Sequence, residues 1–150
     1  MCHGLLEIGK PSDASFELHG DNLTLLEIVR SQLPAAEFAF LSACHTAELT
    51  EESIADEGLH LAAAIAAAMQ FCGFRSVIGT MWVMADTDGA DLSKHFYKYI
   101  FSENPGRRGV PYYERSARAL QFAVKKLRRK RGIMLERWVN FVHYGHGRAL

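Results

Sequence analysis

Apolar side chains recur along this chain at two spacings, and each spacing predicts a different kind of secondary structure. Segments in which they return every three or four positions predict helices at 24–33, 58–71, 86–100 and 112–131. Short apolar runs between small or polar residues predict strands at 38–42, 76–81 and 138–144. The segments 9–22, 45–57 and 102–111 are polar or rich in Gly and Pro, and they are predicted to be loops.

Residues with known preferences for helix ends support these boundaries. Pro34 ends the first helix, and Gly73 follows the second, where glycine commonly closes a helix. Asp86 and Asp88 are expected to cap the third helix, because acidic side chains at a helix N-terminus interact favourably with the helix dipole.

Strands and helices alternate along the sequence, and this order predicts an α/β domain. We expect three layers, α/β/α, with helices on both faces of a mostly parallel sheet. Residues 1–150 are expected to form one domain, since the chain is long enough for one core and short for two. Functional groups in such sheets collect at the carboxyl ends of the strands. In this interpretation His3, Cys44 and residues 82–88 lie there.

The composition, 49% hydrophobic and 23% charged, is that of an ordinary globular protein. The chain has three cysteines, Cys2, Cys44 and Cys72. Their odd number and irregular spacing argue against a disulfide framework and for a reducing compartment. We therefore expect a cytoplasmic protein. No signal peptide is visible after Met1, and the apolar stretch 61–69 is too short to cross a bilayer, so no membrane partner is expected.

Charge is distributed unevenly although the formal net charge is zero. Residues 1–75 carry 3 Lys/Arg and 11 Asp/Glu, whereas residues 76–150 carry 14 and 6. We interpret this as attraction between two halves that dock on each other. The basic run 125–131 is interpreted as a solvated helix end whose cations suit the helix dipole, in preference to a nucleic-acid surface or a nuclear-import signal. No nucleic-acid partner is therefore expected.

Cys44 and His3 are the residues with the clearest chemical potential. The apolar run 38–41 ends on small residues and the Cys44 thiol, and a His3-Gly4 pair stands about 40 positions upstream. A cysteine nucleophile needs a base such as imidazole within hydrogen-bond reach, and the two meet only if both strands end at one edge of a sheet. Two alternatives stand beside this one. In the first, Cys44 is a buried core residue. In the second, it belongs to a zinc site with Cys2, His3, His45, His143 and His146, whose spacing matches no recognised pattern.

Several segments together resemble the CHAT domain, a caspase-like cysteine peptidase family of clan CD that is related to separase. They are His3-Gly4, Ser42-Ala43-Cys44, the helical segment 58–73, the strand entry Gly73-Phe74-Arg75-Ser76-Val77 and the terminal Trp138-Val139-Asn140. The resemblance implies a caspase-like fold and a hydrolase that cleaves proteins or peptides. Other members have strands before the His-Gly pair and helical repeats further upstream. We expect the N-terminal strands to be missing here, and the chain to be the C-terminal portion of a longer parent.

The resemblance also implies individual roles. His3 corresponds to the catalytic base and Cys44 to the nucleophile, with the backbone N–H groups of Gly4 and Cys44 facing the oxyanion; no metal or other cofactor is needed. In related enzymes, an acidic residue after the strand that corresponds to 76–81 binds the basic side chain that precedes the scissile bond. Asp86 is carried over to that role, and Asp88 is the rival candidate; helix capping is the alternative for both. The competing interpretation is that the chain, without those upstream strands, is a catalytically inactive interaction or regulatory module.

Overall fold

The computed structural model describes residues 3–5, 15–17, 19, 21–41, 44–45, 63–82, 84–102 and 111–146. Its strands are β1 (His3–Leu5), β2 (Ser15–Glu17), β3 (Asn22–Thr24), β4 (Phe38–Phe40), β5 (Cys44–His45), β6 (Ser76–Thr80) and β7 (Phe141–Gly145). Its helices are α1 (Leu25–Arg30), α2 (described over 63–72), α3 (Asp86–Ile100), α4 (Tyr112–Arg128) and α5 (Leu135–Val139). The predicted α/β class is confirmed. Most of the predicted loops 45–57 and 102–111 lies outside the described residues, namely positions 46–57 and 103–110.

The described strands pair in two sheets. One has the order β4-β6-β7, parallel between β4 and β6 and antiparallel between β6 and β7. The other has the order β3-β2-β1-β5, and in it β1 and β5 are the parallel pair. Strand pairing is therefore mixed, whereas a mostly parallel sheet was expected. β2 and β3 follow each other across a short connection, and such connections join antiparallel strands.

Helices cover both faces of the sheet β4-β6-β7. Successive residues of a strand point to opposite faces, and the neighbours Val77 and Ile78 of β6 are both fully buried. Val77 packs in a cluster to which α1 and α2 contribute. Ile78 packs in a second cluster, formed with α3 and α4. The expected three-layer α/β/α arrangement is thus present around β6.

The packing of α3 and α4 follows the periodicity seen in the sequence. The buried residues of α3 include Asp88, Leu92, Phe96 and Ile100, each four positions after the last. Those of α4 are Ser116, Ala119, Leu120, Ala123 and Leu127. Full burial of a Leu, Ile or Phe side chain stabilises a fold by about 1.5–3 kcal/mol, so these stripes hold both helices on the sheet. Asp88 is a charged residue within an apolar stripe and therefore needs a partner.

Gly73 ends α2 as the sequence predicts. Its φ of 124° is open to glycine but strained for other residues, and the N–H groups of Gly73 and Phe74 donate to the carbonyls of Gln70 and Met69 at 3.1 Å each. This is the Schellman arrangement, which satisfies carbonyls that the helix leaves unpaired. A Cβ on Gly73 would lie 2.2 Å from the carbonyl oxygen of Leu33, so the turn also packs directly against the chain after α1.

Two segments differ from their predicted structure. The segment 138–144 was predicted as one strand, but its first two residues belong to α5 and the strand β7 begins at Phe141. The helical turn lets Trp138 pack against the α3–α4 cluster and under the guanidinium of Arg128, 5.4 Å from its ring centroid. Similarly, the predicted loop 9–22 contains β2, which is stabilised by pairing Phe16 with Leu23 of β3. In both cases contacts with distant or facing residues override local preference.

A carboxylate from another part of the chain caps α4. The residue before this helix, Pro111, makes no side-chain capping bond. Instead the Tyr112 backbone N–H donates to Oε2 of Glu37 over 2.6 Å, across 75 positions of sequence. The negative charge of Glu37 also suits the positive end of the helix dipole.

We expect Glu37→Ala to lower the free energy of unfolding by about 0.5–2 kcal/mol, the usual cost of losing an N-terminal cap. Glu37→Gln keeps an acceptor oxygen without the charge and should lose less. Urea denaturation of the two variants beside the unmodified chain measures both effects. Equal stability of Glu37→Ala and the unmodified chain would contradict this capping role.

His143 should make the stability of the fold depend on pH. Its Nε2 lies 2.9 Å from Oγ of the buried Ser76, and burial lowers the pKa of His143 below the ordinary 6.5. The unfolded chain therefore binds a proton at this residue more readily than the folded chain does. Stability from this residue is complete above about pH 7 and is lost as the pH falls through 6.5 and below.

The free energy of unfolding should accordingly fall between pH 7.5 and pH 5, and fall less in His143→Gln, whose side chain does not titrate. Denaturation at a series of pH values measures the difference between the two slopes, which cancels the contribution of the other histidines. Parallel pH curves for the two proteins would show that His143 is not responsible.

Candidate active site

The chain from 38 to 45 takes part in both sheets and leads to the candidate nucleophile. β4 pairs with β6 in parallel, and the Leu41 N–H extends this pairing by donating to the Ile78 carbonyl over 2.8 Å. A few residues later β5, which contains Cys44, pairs in parallel with β1. The carboxyl ends of β4 and β6 meet at one edge of their sheet, and Cys44 lies beyond that edge.

His3 and Cys44 occupy the same register position in this pairing. The partners are His3 with Cys44 and Gly4 with His45. Adjacent strands lie about 4.8 Å apart, so two backbone positions separated by 41 residues of sequence become neighbours. Of the residues named for catalysis, the structure thus brings His3, Gly4 and Cys44 together at the level of the backbone.

Residues 81–85 follow β6 at the same edge of the sheet. Asn140 forms hydrogen bonds with the first of these residues. Oδ1 of Asn140 accepts the Trp82 backbone N–H at 2.8 Å, and Nδ2 donates to the Trp82 carbonyl at 2.8 Å. The Asn140 carbonyl also accepts the Met81 N–H at 3.0 Å. Asn140 is 1% exposed, so one buried carboxamide satisfies both backbone groups of Trp82.

The Trp82 side chain is fixed from the same direction. Its indole Nε1–H donates to the carbonyl of Glu136, in α5, at 3.2 Å. Trp82 is therefore held through its backbone and its ring by residues of the segment 136–140. This segment packs on the turn that joins β6 to α3.

Asp88 is paired with Arg137 of α5. Nε and Nη2 of Arg137 donate to Oδ2 and Oδ1 of Asp88 at 2.7 and 2.9 Å, a bidentate arrangement. The Asp88 side chain is 2% exposed, whereas the Arg137 side chain is 40% exposed. The hydrogen bond that Arg137 donates to Asp88 and the negative charge of Asp88 raise the pKa of Arg137. The pair therefore supplies the partner that a buried carboxylate requires.

Asp86 has a different environment, since it is exposed at the first position of α3. Capping by Asp86 or Asp88 was expected, but the N-cap residue is Ala85, which makes no side-chain capping bond. The acids still lie in the first turn, where negative charge is favourable. Of the two acids considered for substrate binding, one is buried in an ion pair and the other lies at the surface.

Comparison with known proteins assigns the chain to a family. The model of the CHAT domain matches residues 1–146. The chain belongs to the CHAT family. No curated protein shows significant similarity to it. The resemblance noted in the sequence is thereby confirmed, and with it the relationship of this CHAT chain to caspase-like peptidases.

The roles of Arg137 and Asn140 in this CHAT chain were not predicted from the sequence. Asn140 is a polar residue between the apolar Val139 and Phe141, and such a residue in an apolar run is the signal of a buried hydrogen-bonding group. Arg137 left no comparable signal, because its partner Asp88 is 49 positions away and pairing across that distance depends on the fold.

Three further points concern the environment of Cys72, a possible metal site and a possible membrane-spanning helix. Cys72 is 2% exposed and donates its thiol hydrogen to the Met69 carbonyl, so it is a core residue. Within the described ranges there is no group of three or more His, Cys, Asp or Glu side chains that could hold a metal ion. No helix in the described part of the chain is long and apolar enough to cross a membrane.

We expect Asn140→Ala in this CHAT domain to lower the free energy of unfolding by about 1–3 kcal/mol, because the N–H and carbonyl of Trp82 lose their partners. The control is Asn22→Ala, at an exposed position of β3, which should change stability by less than about 0.5 kcal/mol. Urea denaturation measures both. A loss in Asn140→Ala no larger than in the control would contradict the bonding described for Asn140.

Proposed function

We propose that this CHAT domain is a cysteine endopeptidase that cleaves protein substrates through a Cys44/His3 dyad. The observation that supports the proposal is the parallel pairing of β1 and β5, in which His3 and Cys44 share a register position. The family supplies the chemical context, since CHAT domains are related to caspase-like peptidases.

In the proposed reaction His3 accepts the Cys44 thiol proton, and the resulting thiolate attacks the carbonyl carbon of the scissile peptide bond. The N–H groups of Gly4 and Cys44 stabilise the oxyanion, a contribution worth about 3–4 kcal/mol in related sites. His3 then donates its proton to the departing amine, leaving a thioester on Cys44. Water hydrolyses the thioester with His3 again as the base, which restores the thiol and releases the acid product.

The remaining parts of the proposal concern substrate and setting. The substrate is a protein or peptide with a basic residue before the scissile bond. An acidic residue near the start of α3 binds the side chain of that basic residue. The chemistry uses no cofactor. We place the enzyme in the cytoplasm, without nucleic-acid or membrane partners.

Covalent labelling with an arginyl acyloxymethyl ketone tests the dyad. This probe presents an arginine before an electrophilic carbon and marks an active thiolate irreversibly. We expect the unmodified chain to be labelled, and Cys44→Ala and His3→Ala to lose labelling by about 100-fold or more, since each group is useless without the other. Intact-mass spectrometry measures the labelled fraction.

Matched controls separate catalysis from general reactivity and from misfolding. Cys72→Ala removes a buried thiol and His95→Ala a histidine of α3, and both should be labelled as fast as the unmodified chain. Circular dichroism establishes that each variant is folded. A folded chain that neither an arginyl nor an aspartyl probe labels would overturn the proposal in favour of an inactive interaction module.

A further inference from the structure

The end of α4 carries a dense group of exposed cations. Six of the seven residues at 125–131 are Lys or Arg, and all six are exposed, whereas Leu127 is 1% exposed and fixes this turn in the core. Among the described residues one of the six has an acidic partner, since Lys130 pairs with Asp91. The helix dipole favours cations in the last turn, but like charges three or four positions apart repel each other. An anionic partner would relieve this repulsion.

Apolar side chains are exposed directly after these cations in the sequence. Met134, Leu135 and Val139 are 59%, 61% and 40% exposed, and α5 has no buried residue. Leu135 and Val139 lie four positions apart and therefore share one face of α5. Three of the nine exposed large hydrophobic residues in the described part of the chain thus fall within six consecutive positions. A solvated helix end accounts for the cations, but it does not account for apolar side chains beside them.

The cations and the apolar side chains are held in fixed positions relative to each other. The guanidinium carbon of Arg128 lies 5.4 Å from the ring centroid of Trp138, in α5. Ile133 and Trp138 both pack against the core cluster formed with α3 and α4, so the chain between α4 and α5 is anchored. We call the exposed side chains of residues 125–139 the basic-apolar surface. Because its backbone is anchored, binding a partner requires little further ordering of this surface.

The basic-apolar surface lies at the same sheet edge as Cys44. α3 begins after the carboxyl end of β6, and Asp91 in the first half of α3 pairs with Lys130. Asn140, which directly follows α5, bonds the backbone of Trp82 just beyond β6. The carboxyl ends of β4 and β6 meet at this edge, and Cys44 lies beyond it. A polypeptide bound to the surface is therefore held on the side of the sheet that carries the proposed nucleophile.

Charge and apolar exposure together select the kind of partner. The cations require negative charge opposite them. Exposed aliphatic side chains require apolar groups, which the phosphates of a nucleic-acid backbone do not offer. Attachment to a membrane surface needs a helix with a large apolar face, and α5 has five residues. An acidic polypeptide segment with some aliphatic side chains supplies both kinds of contact.

We propose that the basic-apolar surface is a docking site for an acidic segment of a protein partner, and that aliphatic side chains of this segment pack on Leu135 and Val139. For a peptidase this partner is a substrate, and that identification rests on the proposed function. Docking itself needs neither Cys44 nor His3. It adds to the affinity for a substrate through residues away from the scissile bond, because it raises the effective concentration of that bond at the active site.

Fluorescence anisotropy with short labelled peptides tests the docking site. The probe is a fluorescein-labelled peptide of Glu and Leu, and two matched peptides replace every Glu by Gln or every Leu by Ser. We expect the affinity of the Glu/Leu peptide to exceed that of the Gln/Leu peptide by about tenfold or more and that of the Glu/Ser peptide by about threefold or more. Its affinity should also fall as salt is raised, since exposed charges are screened.

Charge reversal identifies the surface that binds. Arg129→Glu combined with Arg131→Glu should weaken binding of the Glu/Leu peptide by about tenfold or more, because two attractive charges become repulsive. The control is Lys98→Glu combined with Arg118→Glu, which makes the same change of net charge at exposed positions of α3 and α4 towards their other ends. It should leave the affinity within about twofold, since distant exposed charges are screened. Circular dichroism establishes that both variants are folded.

Leu135→Ser tests the apolar contact separately from charge. It should weaken binding of the Glu/Leu peptide by about threefold or more and leave binding of the Glu/Ser peptide unchanged, because the latter has no side chain to bury there. The matched control is Leu26→Ser, which removes an exposed leucine of α1 on the other face of the sheet, and it should change neither affinity.

The results that would overturn the inference are distinct. Equal binding of the three peptides, or equal losses in the two charge-reversed variants, would show that the surface is not a docking site for acidic polypeptide. Tighter binding of a thymidine oligonucleotide or of phosphatidylserine vesicles, lost on reversal at 129 and 131, would assign it to nucleic acid or membrane. Self-association abolished by the same reversal would assign it to a second copy. Peptide binding by a chain that no ketone probe labels would support the docking site and contradict the peptidase proposal alone.

Discussion

The burial of β6 is the constraint on which the rest of the structure depends. All five of its residues are buried, it pairs along both edges, and its two faces contact different helix pairs. A strand in this position has no freedom in direction or register, because a shift by one residue would move Val77 and Ile78 to the wrong faces. The position of β6 therefore determines the positions of the elements around it. It also determines the sheet edge at which the carboxyl ends of β4 and β6 meet.

The candidate active site depends on this placement at two levels. β4 is aligned by β6, and the chain that continues from β4 brings Cys44 to β1 and its His3. The segment after β6 begins where that strand ends, and Asn140 bonds Trp82 in it while Arg137 bonds Asp88 at the start of α3. The same buried strand thus aligns the chain that carries the proposed nucleophile and the segment that leads to the start of α3.

Much of the fold was predictable because its signals are local. The spacing of apolar residues located α3 and all of α4, whose end was placed three residues too late, and Gly73 marked the end of α2. The sequence indicated that His3 and Cys44 would meet only if their two strands ended at one edge of a sheet. In the structure the two residues are register partners. The mixed pairing of the sheets, the hairpin β2–β3 and the helical conformation of Trp138 were not foreseen. Each of these depends on a facing strand or a distant helix.

The sequence by itself determined the family, the α/β class and the residue types from which a cysteine dyad could be built, because motifs and periodicity are properties of neighbouring positions. Tertiary structure decided which charged and polar groups pair with residues far away in the sequence. Asp86 and Asp88 look equivalent in the sequence, yet Arg137 holds only the second in a bidentate pair, and Glu37 caps a helix that begins 75 positions later. Charges and hydrogen-bond donors act over a few ångströms in space, and only folding brings such distant residues within that range.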